Sequence, residues 1–402
     1  MTELKTKFIG ACLLLLPAFH PVAEASVLSS AGIGLPARDP GARFMGMGGI
    51  SIALADDQSA STLNPASLHR IRMTQLSIQF ISDQGRFRDA SGSISASYVN
   101  FNGFSFAVPL GRGIDFGMAL VPRTRMDYWS SFDGAVGGES FAKTVHGTGG
   151  LNTAEVSLAW DIRSVVGFGL TAHYFFGKIS ESWRILFNGS QFTNTYNLIN
   201  TRNHGFGITG GFIAHPSRAL SIGCVYRPSV RISTTTEIFG SPVIATAVTR
   251  DGNLDFPQFM GAGAQYTLAK GLSAGVEYSE EAWNRLKVNG VAVPNLLKRV
   301  RFSGGAEWLR GQLPTDGYFK RMSFRAGFCV ERFYLSDLKG GSVREILGTF
   351  GIGFPLITSA SKVDVALGFG KRGDLGSNGF SENCVRIGVS ATIGEKWFVR
   401  KY

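Results

Sequence analysis

From Arg72 onward the chain alternates in character with a period of two, and this pattern limits its possible folds more than any other feature. Between Ser361 and Phe369, the side chains Val363, Val365, Leu367 and Phe369 share one face, while Asp364, Ala366 and Gly368 share the other. The same division separates Leu272, Ala274, Val276 and Tyr278 from Ser273, Gly275, Glu277 and Ser279. It also separates Met322, Phe324, Ala326, Phe328 and Val330 from Ser323, Arg325, Gly327, Cys329 and Glu331, and Val385, Ile387, Val389 and Ala391 from Arg386, Gly388, Ser390 and Thr392. A soluble sandwich would turn its apolar face inward and show water a face rich in Lys, Glu and Thr. Here the second face is mostly Gly, Ala and Ser with isolated charges, which suits the lumen of a membrane barrel whose apolar face meets lipid.

About 14 strands are expected, starting near residues 72, 95, 113, 152, 165, 203, 219, 256, 271, 299, 320, 344, 361 and 383. Long links are expected at 82 to 93, 126 to 150, 184 to 202, 236 to 254, 284 to 298, 334 to 343 and 372 to 382. Short ones fall near Gly111, Ser164, Pro216, Lys270, Gly311 to Tyr318, and Ile357. Short turns on one side, long loops on the other and an even strand number are what an outer-membrane barrel requires. Trp129, Trp160, Trp183, Trp283, Trp308 and Trp397 are expected at or just past strand ends, as aromatic girdles would place them.

Composition agrees with one barrel rather than several domains: 52 Gly, 31 Phe and only 17% charged residues in 402. No apolar run reaches the 18 residues a spanning helix needs. Lys5 and Lys7, the apolar run Phe8 to Phe19, and Ala23-Glu24-Ala25 before Ser26 make the three-part pattern of a cleaved secretory signal. Ile9-Gly10-Ala11-Cys12 is a weaker match to a lipoprotein box, because the apolar run continues past Cys12. The mature chain keeps Cys224, Cys329 and Cys384, an odd number without CxxC spacing, so disulfides do not hold the fold and the thiols are small packing residues.

The formal charge of +11 comes from scattered residues, and export argues against nucleic acid as a partner. Arg299 and Arg301 beside Lys298, and Lys320 with Arg321, stand at strand starts, where they would meet lipid phosphates or simply be solvated. Gly271-Leu272-Ser273-Ala274-Gly275 matches the nucleophile elbow, but a strand follows where a helix is needed. Gly205 to Gly210 matches GxGxxG without a surrounding βαβ unit. His69, His146, His173, His204 and His215 have no metal-ligand spacing. An enzyme, a metal site and a cofactor are therefore not expected. Glu277, Arg301, Glu307, Arg325, Glu331, Asp364 and Arg386 fall on the inward faces, and such charges pair with one another or with a plug, because isolated burial is costly. Arg301, Arg325 and Arg386 are the lumenal charges that could instead greet a carboxylate ligand.

The one long non-strand piece after the export signal is Gly41 to Leu68, GARFMGMGGISIALADDQSASTLNPASL. Its small residues and methionines suit a compact segment packed within walls, and Asn64-Pro65-Ala66 reads as a helix start with Asn64 as N-cap. A barrel of about 14 strands encloses more space than its own side chains fill, which gives such an insert a physical role.

The combination of Arg43-Phe44-Met45-Gly46-Met47-Gly48-Gly49, Ala55-Asp56-Asp57 and Asn64-Pro65-Ala66 resembles the hatch of the long-chain fatty acid transporter (FadL) family of outer membranes. It also looks like the related PorV-type proteins of type IX secretion. The resemblance implies an all-β transmembrane barrel of 14 strands with an N-terminal hatch in the lumen, whose movement lets hydrophobic molecules pass, and a kinked strand that opens a lateral exit. It implies that Ser26 to Pro36 and the hatch residues Arg43, Phe44, Met45, Met47, Asp56, Asp57 and Asn64 gate the lumen. Ligand-pocket residues have no residue-by-residue match, and the tail from Glu395 to Tyr402 runs past the last strand.

The expected organisation is a signal peptide at 1–25, a hatch at 26–71, a barrel at 72–395 and a tail at 396–402. The expected function is passive uptake of hydrophobic small molecules such as long-chain fatty acids across a bacterial outer membrane. The alternative is docking of secreted cargo or a secretion-system component. A hydrophobic small molecule or lipid, outer-membrane lipids and the barrel assembly machinery are the other expected partners.

Overall fold

A computed structural model of the chain describes residues 33–37, 41–90, 92–241, 248–311, 315–337, 340–356 and 361–397. The expected signal peptide at 1–25, residues 26–32 of the expected gate and the expected tail beyond Trp397 lie outside the described residues.

A two-residue strand, β1 (Leu35–Pro36), precedes the plug. The wall then runs through β2 (Thr74–Asp89), β3 (Ser93–Gly111), β4 (Ile114–Val136), β5 (Glu139–Ile162), β6 (Val166–Phe187) and β7 (Thr195–Ala214). Two staves follow that are each broken by proline: β8 (Leu220–Arg227) continues as β9 (Val230–Ser241) past Pro228, and β10 (Val248–Phe256) continues as β11 (Phe259–Ala269) past Pro257. Proline has no N–H to give to a ladder, so each strand is interrupted there. After β12 (Leu272–Glu281) comes a small hairpin, β13 (Lys287–Val288) and β14 (Val291–Ala292), whose first strand pairs with β10. The wall resumes with β15 (Arg299–Leu309), β16 (Ser323–Ser336), β17 (Ser342–Pro355), β18 (Lys362–Arg372) and β19 (Phe380–Glu395).

Every wall pairing is antiparallel, and β19 closes on β2 from Phe380↔Asp89 to Glu395↔Thr74. With each broken pair counted as one stave, the result is a closed barrel of 14 strands. Its outer face exposes Ile78, Phe80, Met118, Val156, Leu170, Val276, Phe328 and Leu367, while Glu277, Glu307, Arg325, Asp364 and Arg386 are buried inside. That is the inverted arrangement of a lipid-facing barrel. In water the same apolar belt would be an aggregation surface.

Residues 41–71 occupy the lumen. A helical turn, Ala42–Met45, packs Met45 against Ala366, and a 3-10 turn, Pro65–Arg70, is capped by Asn64, whose side chain accepts the Ala66 N–H at 3.0 Å. The wall admits the plug where it carries glycine: a Cβ on Gly305 would strike the Met47 carbonyl, and one on Gly327 the Gly48 amide.

Three expectations need correction. The links at 82 to 93, 126 to 150, 184 to 202 and 236 to 254 are largely strand, since β2 runs on to Asp89, β4 to β7 run 23, 24, 22 and 20 residues, and β9 and β10 extend to Ser241 and from Val248. A bilayer crossing takes only about 9–11 residues, so β4, β5 and β6 stand roughly 30 Å above the membrane as a raised sheet at ~3.4 Å per residue and a tilt near 40°. Trp129 and Trp183 lie on this sheet rather than at strand ends, and Trp283 is fully buried in a 3-10 turn inside the barrel. Arg299 and Arg301 turn inward, where Arg299 holds Glu331 and Arg301 reaches the Gly48 carbonyl, so neither meets lipid phosphate.

Candidate functional site

The plug is fixed to the wall by charge. Arg43, buried in the helical turn, donates to Asp56 at 2.5 and 2.9 Å and to Glu307 of β15 at 2.6 and 3.1 Å. Glu307 also accepts from Arg325 at 2.7 Å, and Arg325 reaches Asp364 at 2.7 Å. A single chain of pairs therefore joins plug and three strands, and removing one member would leave buried charge uncompensated. Main-chain groups add to it: the Ser51 and Ile52 N–H groups both donate to Glu277 at 2.7 Å. The Asn64 amide donates to the Ile52 carbonyl at 2.6 Å, so its side chain ties two parts of the plug together.

The expected gating residues divide under this geometry. Arg43, Asp56 and Asn64 hold the plug by hydrogen bonds, and Phe44 and Met47 cluster with Ile50 and Leu54 inside it. Met45 faces β18. Asp57 is exposed, and only its main-chain carbonyl contributes, accepting from Gln75 at 2.6 Å. Arg325 belongs to the plug network, whereas Arg386 pairs with Asp83 at 3.1 Å and Glu345 at 3.5 Å within the wall.

The wall itself has a seam. β3 and β4 pair only from Gly111↔Ile114 up to Phe104↔Leu120, although the strands are 19 and 23 residues long. The short turns mark the periplasmic end. The zipped part therefore rises roughly 18 Å from it, at ~3.4 Å per residue and a tilt near 40°, and the seam begins in the outer half of an apolar belt about 25 Å tall. Val99 and Phe101 of β3 are exposed beside it.

At the base of the seam β1 takes the missing place on β4, with Leu35↔Arg125, Pro36↔Thr124 and the Ala37 N–H donating to the Arg123 carbonyl at 2.8 Å. Arg125 reaches across to the Phe101 carbonyl at 3.1 Å and Asn102 at 2.8 Å. Gly34 has φ +91°, and any Cβ there would collide with the Arg125 carbonyl, so this close seating requires glycine.

Behind the seam lies a small cavity of about 90 Å³ bordered by Ala37, Leu63, Asn102, Pro122, Arg123 and Phe259. Above it, Leu151, Phe175, Phe256, Trp283, Leu286 and Tyr334 form an apolar cap across the outer lumen, with Ile33 packed against it. Trp283 stacks on Tyr334 with ring centroids 4.3 Å apart, and the Tyr334 hydroxyl donates to the Gly34 carbonyl at 2.6 Å. At the periplasmic end a cavity of about 440 Å³ is lined by Asp56, Asp57, Arg70, Arg72, His215 and Arg218. Among the described residues no group of three or more metal-ligating side chains occurs.

Nothing in the sequence marks Arg125, Gly34 or Tyr334, and Trp283 is expected there only as part of an interface girdle. The local hints are Pro122 within a strand pattern and Gly103, which has φ +123° beside the end of the zipped part.

The family model described as BamG matches residues 5–402. No curated protein matches the chain. Among solved structures, the chain is similar to the CymD monoaromatic hydrocarbon channel at 15% identity and a TM-score of 0.58, over 89% of this chain and 98% of that one. It is similar to the toluene transporter TbuX of Ralstonia pickettii at 15% identity and 0.58, over 90% and 99%. A FadL homologue of Pseudomonas aeruginosa matches at 14% identity and 0.58, again over 90% and 99%. At these identities the likeness is one of fold.

Proposed function

The chain belongs to the BamG family, and on that premise we propose that it is a bacterial outer-membrane barrel that passes hydrophobic small molecules through the β3/β4 seam while its plug closes the axial route. The observation that carries this reading is the seam itself. It opens within the apolar belt, has a lumenal cavity behind it, and is closed by a strand of two residues instead of a full ladder. An apolar solute would enter the cap of Phe175, Phe256, Trp283 and Tyr334, displace Ile33, and lift β1 from β4. Leaving sideways into lipid costs such a solute no desolvation, whereas the periplasmic exit leads past Arg70, Arg72 and Arg218.

The similarity in fold to monoaromatic hydrocarbon and toluene channels supports the substrate class. Arg123 and Arg299, which border the cavity, already hold Glu155 and Glu331, so a fatty-acid carboxylate would have to displace those partners to reach them. The test is uptake of labelled toluene and of a labelled long-chain fatty acid by cells with and without the chain. Faster uptake of at least one supports the proposal, and equal uptake of both overturns it. A second reading, docking of a protein partner such as secreted cargo or a secretion-system component, is favoured by the raised sheet of β4 to β7.

A further inference from the structure

Above β1 the seam leaves β4 with a free edge. Residues 128–136 pair with β5 on one side, from Tyr128↔Gly147 to Val136↔Glu139, and with no described residue on the other. This stretch lies above the apolar belt, in water, on a sheet that continues through β5, β6 and β7. A long edge of this kind is a template for another strand unless it is shielded by prolines, bulges or lysines. None of these interrupts 128–136, and the pairing with β5 is unshifted throughout.

We infer that the β4 edge at 128–136 is a docking site for an extended segment of a partner protein, which adds as an antiparallel strand in line with β1. Two observations choose this occupant. First, β1 already sits on the same edge one step below, in strand register, so the edge accepts a peptide backbone. Second, the edge carries a two-sided code. Its outer face presents Trp129, Ser131 and Asp133, and its inner face presents Phe132, about half exposed, and Val136. Facing cross-strand pairs would favour a segment alternating apolar residues with lysine or arginine. Backbone bonding would supply affinity and the alternate side chains selectivity. The inference rests on the docking reading alone and stands whether or not apolar molecules cross the seam.

The test uses the full mature chain in detergent, a capped nine-residue peptide of alternating valine and lysine, and hydrogen–deuterium exchange. Expected is at least a tenfold slowing of exchange within residues 128–136, absent with a peptide carrying proline at alternate positions and weakened at least threefold by Asp133→Lys, an exposed and structurally tolerant change. Unchanged exchange at 128–136 overturns the inference, as does equal slowing by the proline peptide. Slowing that appears without peptide and grows with protein concentration would assign the edge to a second copy of this chain and also overturn it. None of these outcomes depends on uptake of toluene or fatty acid, so the two proposals fail separately.

Discussion

Tyr334 donates its phenolic O–H to the carbonyl of Gly34 at 2.6 Å, and this bond ties the apolar cap to the residue directly before the strand that closes the seam. Both groups are buried, so the bond has no water to replace it.

Replacing Tyr334 with Phe keeps the stacking on Trp283 and removes only this link. A lost buried hydrogen bond costs about 1–2 kcal/mol. The expected outcome is a barrel that still folds, with a thermal midpoint only slightly lowered, and toluene uptake that rises severalfold because β1 is less firmly held. Uptake at the original rate would separate the cap from the gate.

The two acidic residues of the plug should behave differently. Arg43→Met leaves Asp56 and Glu307 facing each other without their shared cation, a loss of about 3–5 kcal/mol for a broken buried pair. Leakage of small polar solutes in a vesicle-swelling assay should rise with Arg43→Met. Asp57→Ala, at an exposed side chain, should leave it unchanged. If replacing Asp56 and Asp57 together leaves the barrel no leakier, the plug does not gate.

Acid should loosen the periplasmic anchor. At the periplasmic rim of the lumen, His69 of the plug and His215, one residue past the end of β7, face each other at 3.0 Å between Nε2 atoms, and His69 Nδ1 lies 2.6 Å from the Ala66 carbonyl and must donate to it. His215 then donates to His69, and its Nδ1 accepts from Ser221. Burial, followed by the nearby Arg70, lowers His215 to about 4, and burial lowers His69 as well. Because both are depressed in the folded chain, their neutral forms contribute stability above the ordinary histidine value near 6.5. That stability is lost as pH falls from there through about 4. Protection of the amides of residues 66–70, taken relative to their intrinsic exchange rate at each pH, should therefore fall between pH 6.5 and 4 in the parent chain, and much less in His215→Gln.

The sequence read most clearly where lipid forces one face to be apolar. Strands expected near 299, 344 and 361 begin at Arg299, Ser342 and Lys362. The reading failed above the membrane. Between 129 and 144 nearly every position on either face is exposed or half-exposed, so Ser, Thr, Asp and Lys occupy both sides, the period of two fades, and the raised hairpin of β4 and β5 resembles a loop. Trp283 shows the same limit from the other direction: an aromatic residue after a strand end suits an interface girdle, yet here the connection folds back into the lumen and buries it. The Asn64 cap was legible because a side-chain oxygen before proline has few other roles. The seam was not, since a missing ladder is a relation between strands and neither β3 nor β4 records it alone.

Passage through the seam requires β1 to leave β4, and Leu35 lies opposite Arg125 in that pairing. With Cys224 replaced by Ala, Leu35→Cys and Arg125→Cys place two thiols at positions a disulfide can span. Toluene uptake should fall at least tenfold when the pair is oxidised and recover on reduction. Uptake that is the same in both states would contradict passage through the seam.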